Sequence, residues 1–85
     1  MIGRIVCSKA GRDKGNFLVV VGLEKDELLV CDGKERPLER PKRKNPKHLA
    51  VTNSYLLREQ YLSNKSLRRA LAEFRNVQKL PKEES

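Results

Sequence analysis

Asn16-Phe17-Leu18-Val19-Val20-Val21-Gly22-Leu23 is the stretch on which the fold turns. It is rich in β-branched residues and too short for a convincing helix, so it reads as a strand. Its unbroken apolar character predicts either a strand buried on both faces or a sharply bent one, and Gly22 would permit the bend.

Working outward, Ile2 to Ser8 reads as a preceding strand. Lys9 to Gly15 joins the two as a loop, and its two glycines, Gly11 and Gly15, suit backbone with positive φ. Downstream, Glu24 to Glu27 is a polar turn and Leu28 to Cys31 a third strand. Asp32-Gly33 is a hairpin turn signal. Arg36 to Arg40 then reads as an edge strand, where Pro37 is tolerated. Pro41 to Pro46 reads as an extended basic loop, and His48 to Thr52 as a last short strand that ends at Asn53. Short strands punctuated by Gly, Asp and Pro predict a small, mainly β barrel over residues 1–53.

Residues 54–85 change character. Leu67, Ala70, Leu71, Phe74 and Val77 or Gln78 fall on one face of a helix. Ser63, Asn64 and Ser66 are candidate caps, Pro81 is the stop, and the chain is expected to fray after 81. Leu56, Leu57, Tyr61 and Leu62 suit a first turn or short helix that docks this helical tail. The tail is expected to pack on the barrel; RNA, a protein partner or an anionic membrane is the other possible surface for it. The narrow apolar face without Trp disfavours the membrane.

Lys and Arg number 19 against 11 Asp and Glu, a net charge of +8. The surplus is uneven. Residues 1–33 carry five basic and five acidic side chains, whereas residues 34–52 carry seven basic and two acidic. A localised basic excess attracts polyanions, of which nucleic acid is the commonest. Cys7 and Cys31 sit in apolar runs and read as small buried hydrophobes. With one His and no CxxC spacing, no metal site is expected. No cofactor is expected either. The N-terminal residues show no signal peptide and the longest apolar run is far too short to span a bilayer, so a cytoplasmic location is the expectation. No nucleophile elbow, P-loop or HExxH pattern is present, so a non-enzyme is expected.

Three segments carry a resemblance. Gly3 to Val21 resembles a KOW motif, which is a strand, a basic Gly-containing loop and an apolar strand. Leu29-Val30-Cys31-Asp32-Gly33 is similar to the Leu-Val-Asp-Gly turn of one KOW-type ribosomal family. Arg43-Lys44-Asn45-Pro46-Lys47-His48-Leu49-Ala50-Val51-Thr52 is similar to that family's closing segment. The family is large-subunit ribosomal protein fourteen of the archaeal and eukaryotic set, with its small bacterial relatives. The resemblance spans residues 3–53. It implies an SH3-like barrel that binds ribosomal RNA on the large subunit, as a ribosomal or ribosome-associated protein. The tail from Asn53 onward does not resemble the family's long basic extension.

The residue chemistry points to the same partner. Lys9, Arg12 and Lys14 surround two glycines whose bare backbone permits close approach of a phosphate. Arg40, Lys42, Arg43, Lys44 and Lys47 form the densest run of charge, held extended by Pro41 and Pro46 and suited to following a phosphate backbone. Asn45 and His48 have the chemistry to meet a base or a 2′-hydroxyl. Alternatively His48 packs its ring on the barrel. With Phe17 and Phe74 expected in the core, structured RNA read through its phosphates is favoured over a single strand. The rival expectation is a protein-interaction module of the transcription or translation machinery, docking through Leu56 to Val77.

Overall fold

The computed structural model describes residues 1–79. The expected stop at Pro81 and the fraying after it lie outside those residues. The strands are β1 (Arg4–Ser8), β2 (Phe17–Glu24), β3 (Glu27–Cys31), β4 (Lys42–Lys44) and β5 (Leu49–Tyr55). Helix α1 (Asn64–Lys79) follows, and single 3₁₀ turns cover Pro46–His48 and Arg58–Tyr61. All strands lie in one antiparallel sheet in the order β4-β3-β2-β1-β5. The mainly β, barrel-like unit with a C-terminal helix is therefore the architecture the sequence predicts.

Chain length forces the sheet to curl. A flat five-stranded sheet separates its edge strands by roughly 19 Å, four spacings of about 4.8 Å. Lys44 and Leu49, on opposite edges, are joined by a connection that reaches about 17 Å at full stretch. Most of it is wound into the Pro46–His48 3₁₀ turn, which rises only about 2 Å per residue. The edges must therefore approach each other.

The central strand β2 is both buried on two faces and bent. Leu18 and Val20 point into the barrel with Val6, Leu28, Val30 and Leu49. Val19 points the other way, into a second cluster with Ile5, Cys31, Leu56, Leu67, Ala70 and Leu71. The register of β2 against β3 slips between Val20 and Gly22. Two hydrophobic layers thus share one strand, and α1 covers the outer one. Phe17 and Phe74 meet edge to face at 5.0 Å in that outer layer, a pairing that adds about 1 kcal/mol beyond burial.

The connection from β3 to β4 departs from expectation. Asp32-Gly33 does not close a two-residue hairpin, and Arg36–Arg40 is not a strand. Asp32 Oδ1 accepts from the amides of Lys34 and Arg36, at 2.9 and 2.8 Å. The Arg36 carbonyl accepts from the amides of Asp32 and Gly33, and the Arg40 amide donates to Pro37. These bonds fold the segment back on itself instead of extending a ladder. The edge strand lies instead in the run expected to be loop: Lys42, Arg43 and Lys44 pair with Val30, Leu29 and Leu28.

Strand β5 also runs past Asn53. The register moves from Val6↔Val51 to Arg4↔Tyr55, so extra residues bulge opposite Ile5. Thr52 stabilises the bulge: its hydroxyl donates to the Ile5 carbonyl at 2.7 Å and accepts from the Ser54 amide at 3.1 Å. Helix α1 starts at Asn64, a turn before its first apolar residue, because Ser63 caps it. The Ser63 hydroxyl accepts from the Ser66 amide at 3.1 Å, and the Ser63 amide donates to the Ser66 hydroxyl at 3.2 Å. Its packed stripe ends at Phe74; Val77 is exposed. No helix among the described residues is long and apolar enough to cross a membrane.

Candidate nucleic-acid interface

The β1–β2 loop is tied down by a residue from the far edge of the sheet. Lys44 is 7 % exposed. Its ammonium donates to the Ala10 carbonyl at 3.0 Å and to Asp13 Oδ1 at 3.1 Å. The Ser8 hydroxyl reaches the same carboxylate oxygen at 2.9 Å. Burial works to raise the Asp13 pKa, but the Lys44 and Ser8 hydrogen bonds and the Lys44 charge outweigh it and hold the carboxyl below its ordinary value. An ionised Asp13 thus bridges β1, the loop and β4.

Local geometry completes the loop. Gly11 and Gly15 adopt φ of 86° and 89°, as the sequence predicts. The Gly15 amide donates back to Ser8 and the Asn16 amide to Asp13. The Lys9 amide donates to the His48 carbonyl at 2.8 Å, which brings the 3₁₀ turn alongside the loop. Asn45 caps that turn, its Oδ1 accepting from the Lys47 amide at 2.9 Å.

The structure therefore brings together two distant segments. Lys9, Arg12 and Lys14 from one, and Asn45, Lys47 and His48 from the other, are all exposed around the Asp13–Lys44 pair. Among the described residues the only ion pairs are Lys44–Asp13 and Arg43–Glu24. Lys9, Arg12, Lys14 and Lys47 therefore form no ion pair with a carboxylate among the described residues. The His48 residue is exposed.

The remaining residues of the basic run divide. Lys44 faces inward as a structural cation. Arg43 projects outward and lies 3.7 Å from Glu24, an exposed pair that water and salt weaken. Arg40 and Lys42 line an open depression with Glu35, Arg36, Pro37 and Pro41. A 360 Å³ cleft against α1 mixes Asp32 and Glu35 with Lys34, Arg68 and Arg75, so it presents no field of one sign.

No protein-family model and no curated protein matches the chain.

Sequence reasoning missed the roles of Asp13, Arg4 and Tyr55. For Lys44 a signal existed: had Lys42-Arg43-Lys44 been read as a strand, its period of two would have sent Arg43 to the opposite face from its neighbours. Arg4 reaches across to β5, where Nη1 donates to the Thr52 carbonyl at 2.8 Å and Nη2 donates to the Tyr55 hydroxyl. Its guanidinium carbon lies 4.2 Å from the Tyr55 ring centroid. Among the described residues no cluster of three or more His, Cys, Asp or Glu is arranged to hold a metal.

Proposed function

We propose that this chain is an RNA-binding protein of the KOW type that docks on structured RNA, with ribosomal RNA of the large subunit the favoured target. The observation that carries the proposal is the convergence of Lys9, Arg12, Lys14 and Lys47 at one end of the barrel without carboxylate partners among the described residues. Four unneutralised cations on a pinned loop and a capped turn suit a phosphate backbone, because their positions are set before the RNA arrives. Arg40, Lys42 and Arg43 add positive charge at and before β4, with Lys42 and Arg43 on opposite faces of the strand. Asn45 and His48 stand among the cations, where a 2′-hydroxyl or base edge would come within reach. Lys44 is excluded from the contact set, since its ammonium already serves Asp13 and Ala10.

The competing reading is a protein-interaction module. It draws on exposed Leu57 and Leu62, but the apolar stripe of α1 is already buried against the sheet. The decisive experiment is co-sedimentation with ribosomes at low and high salt, together with titration of an Arg12→Ala/Lys14→Ala/Lys47→Ala variant. RNase-sensitive pelleting with the large subunit is expected. Each lost phosphate contact should lower the salt slope by roughly 0.7–0.9. Unchanged affinity and slope in the triple variant would remove this surface from consideration. Salt-resistant, RNase-resistant capture of a protein would favour the competitor.

A further inference from the structure

Tyr55 differs from the other aromatic residues. Phe17 and Phe74 pack on each other, and Tyr61 packs against the outer core beneath Gly3. Tyr55 is 55 % exposed although the Arg4 guanidinium lies over its ring. The two are register partners across β1 and β5. With one ring face on a cation that is itself bonded to Thr52, the other ring face is left to solvent.

We infer that this open face of Tyr55 is a stacking platform for an unpaired RNA base, held from below by Arg4. The inference rests on the RNA-binding reading and names a part of the RNA that phosphate contacts leave unread. Every base has a π face, and stacking needs an immobilised ring with one side open. Arg4 supplies the immobilisation and a cation–π contact, and it forms no ion pair among the described residues. The position fits the basic corner. Strand β5 starts at Leu49, beside His48 and the basic loop, and ends at Tyr55, about 20 Å away at strand rise. Leu49 to Tyr55 contains no acidic residue, so no carboxylate repels a phosphate along the way. A stem whose phosphates lie on the loops would present a loop or bulge base to Tyr55.

The test compares two labelled RNAs of equal phosphate count, a stem with an unpaired loop and a blunt duplex. Tyr55→Ala should weaken the stem-loop roughly five- to a hundredfold and leave the duplex within about twofold, while Tyr55→Phe should retain both affinities. A second readout is independent of affinity. The chain has no Trp, and its tyrosines are Tyr55 and Tyr61, so in a Tyr61→Phe background the intrinsic emission belongs to Tyr55. The stem-loop should quench it and the duplex should not. Equal effects of Tyr55→Ala on both RNAs, or an unquenched Tyr55 in a saturated stem-loop complex, overturns the platform while leaving RNA binding intact. Failure of the unaltered protein to bind either RNA overturns both. Protection of Tyr55 emission by a protein partner alone overturns the platform in favour of a protein contact.

Discussion

The backbone carbonyl oxygen of Asn64 stands 2.6 Å from the position that a Cβ on Gly33 would occupy. Gly33 has φ of 80°, and its own carbonyl accepts from Arg68 Nη1 at 3.0 Å. The first turn of α1 therefore rests directly on the backbone that leaves β3. Leu38 and Glu39 join the same contact: the Leu38 amide donates to Asn64 Oδ1, and Asn64 Nδ2 donates to Glu39. The Asp-Gly pair that resembles a hairpin signal is a seat for the helix.

Gly33→Ala is accordingly predicted to destabilise the fold in two ways, by left-handed strain and by collision with backbone that has no rotamer to escape into. The expected loss is about 3 kcal/mol, read from the urea midpoint. Gly15→Ala is the control, because φ is 89° there but no atom lies within 4 Å of the added Cβ. It should lose only the strain, about 1 kcal/mol. Equal losses in the two variants would show that the helix does not depend on this contact.

Lys44→Met is predicted to cost about 2–3 kcal/mol, since it leaves a nearly buried Asp13 carboxylate without its cation. Asp13 Oδ2 already has no hydrogen-bond partner, which adds to the penalty. The double variant Asp13→Asn/Lys44→Met should recover part of the loss, and a double-mutant cycle measures the coupling. Arg43→Ala, which breaks the exposed pair with Glu24, should stay within about 1 kcal/mol.

The Asp13 shift sets a pH dependence. Its folded pKa lies below the ordinary value of 3.8, so its ionised form stabilises the fold at neutral pH. That contribution is complete above the unfolded pKa and disappears as pH falls through the folded one. Chemical denaturation between neutral pH and strong acid should therefore show a steeper acid limb in the unaltered protein than in Asp13→Asn. Parallel acid limbs would mean that the carboxylate gains nothing from Lys44 and Ser8.

The two cysteines should differ in reactivity. Burial first, then the charges of Asp32 and Glu39, push the Cys31 thiol up to about 11. Cys31 is fully buried, whereas Cys7 is only half-buried. A thiol reagent at mildly alkaline pH should modify Cys7 in the native protein and reach Cys31 only on unfolding. Rapid modification of both native thiols would contradict the outer core described above.

Under the proposed RNA contact, salt titrations should separate structural from contacting cations. Lys44→Met is predicted to lower affinity by loosening the β1–β2 loop while leaving the salt slope unchanged. Arg12→Ala should lower the slope itself, by roughly 0.7–0.9 if its guanidinium meets one phosphate. Filter-binding titrations across salt concentrations distinguish the two; a slope that falls equally in both variants would return Lys44 to the contact set.

Local pattern was enough to determine the first three strands, the glycine loop and the helical stripe. The run from Phe17 to Leu23 has no polar face, which left a strand buried on both faces or a bent one; Leu18 and Val20 enter one apolar layer and Val19 the other, while Leu23 is exposed. Gly11 and Gly15 already stood where positive φ was needed, and Leu67, Ala70, Leu71 and Phe74 share a helix face at any docking angle. These features depend on neighbours in the chain, and period and propensity report such neighbours directly.

Only the tertiary structure decided which charges are available. Lys42, Arg43 and Lys44 are chemically alike in a list of residues. Pairing β4 with β3 turns Lys44 inward and Arg43 outward, and curling of the sheet brings Asp13 to Lys44 from 31 positions away. Pairing of β1 with β5 lays the Lys9 amide against the His48 carbonyl and so makes one basic corner from two segments. Whether a lysine is a structural cation or a free one depends on what stands across from it, and that is set by strand register and the curl of the sheet, which no local pattern encodes.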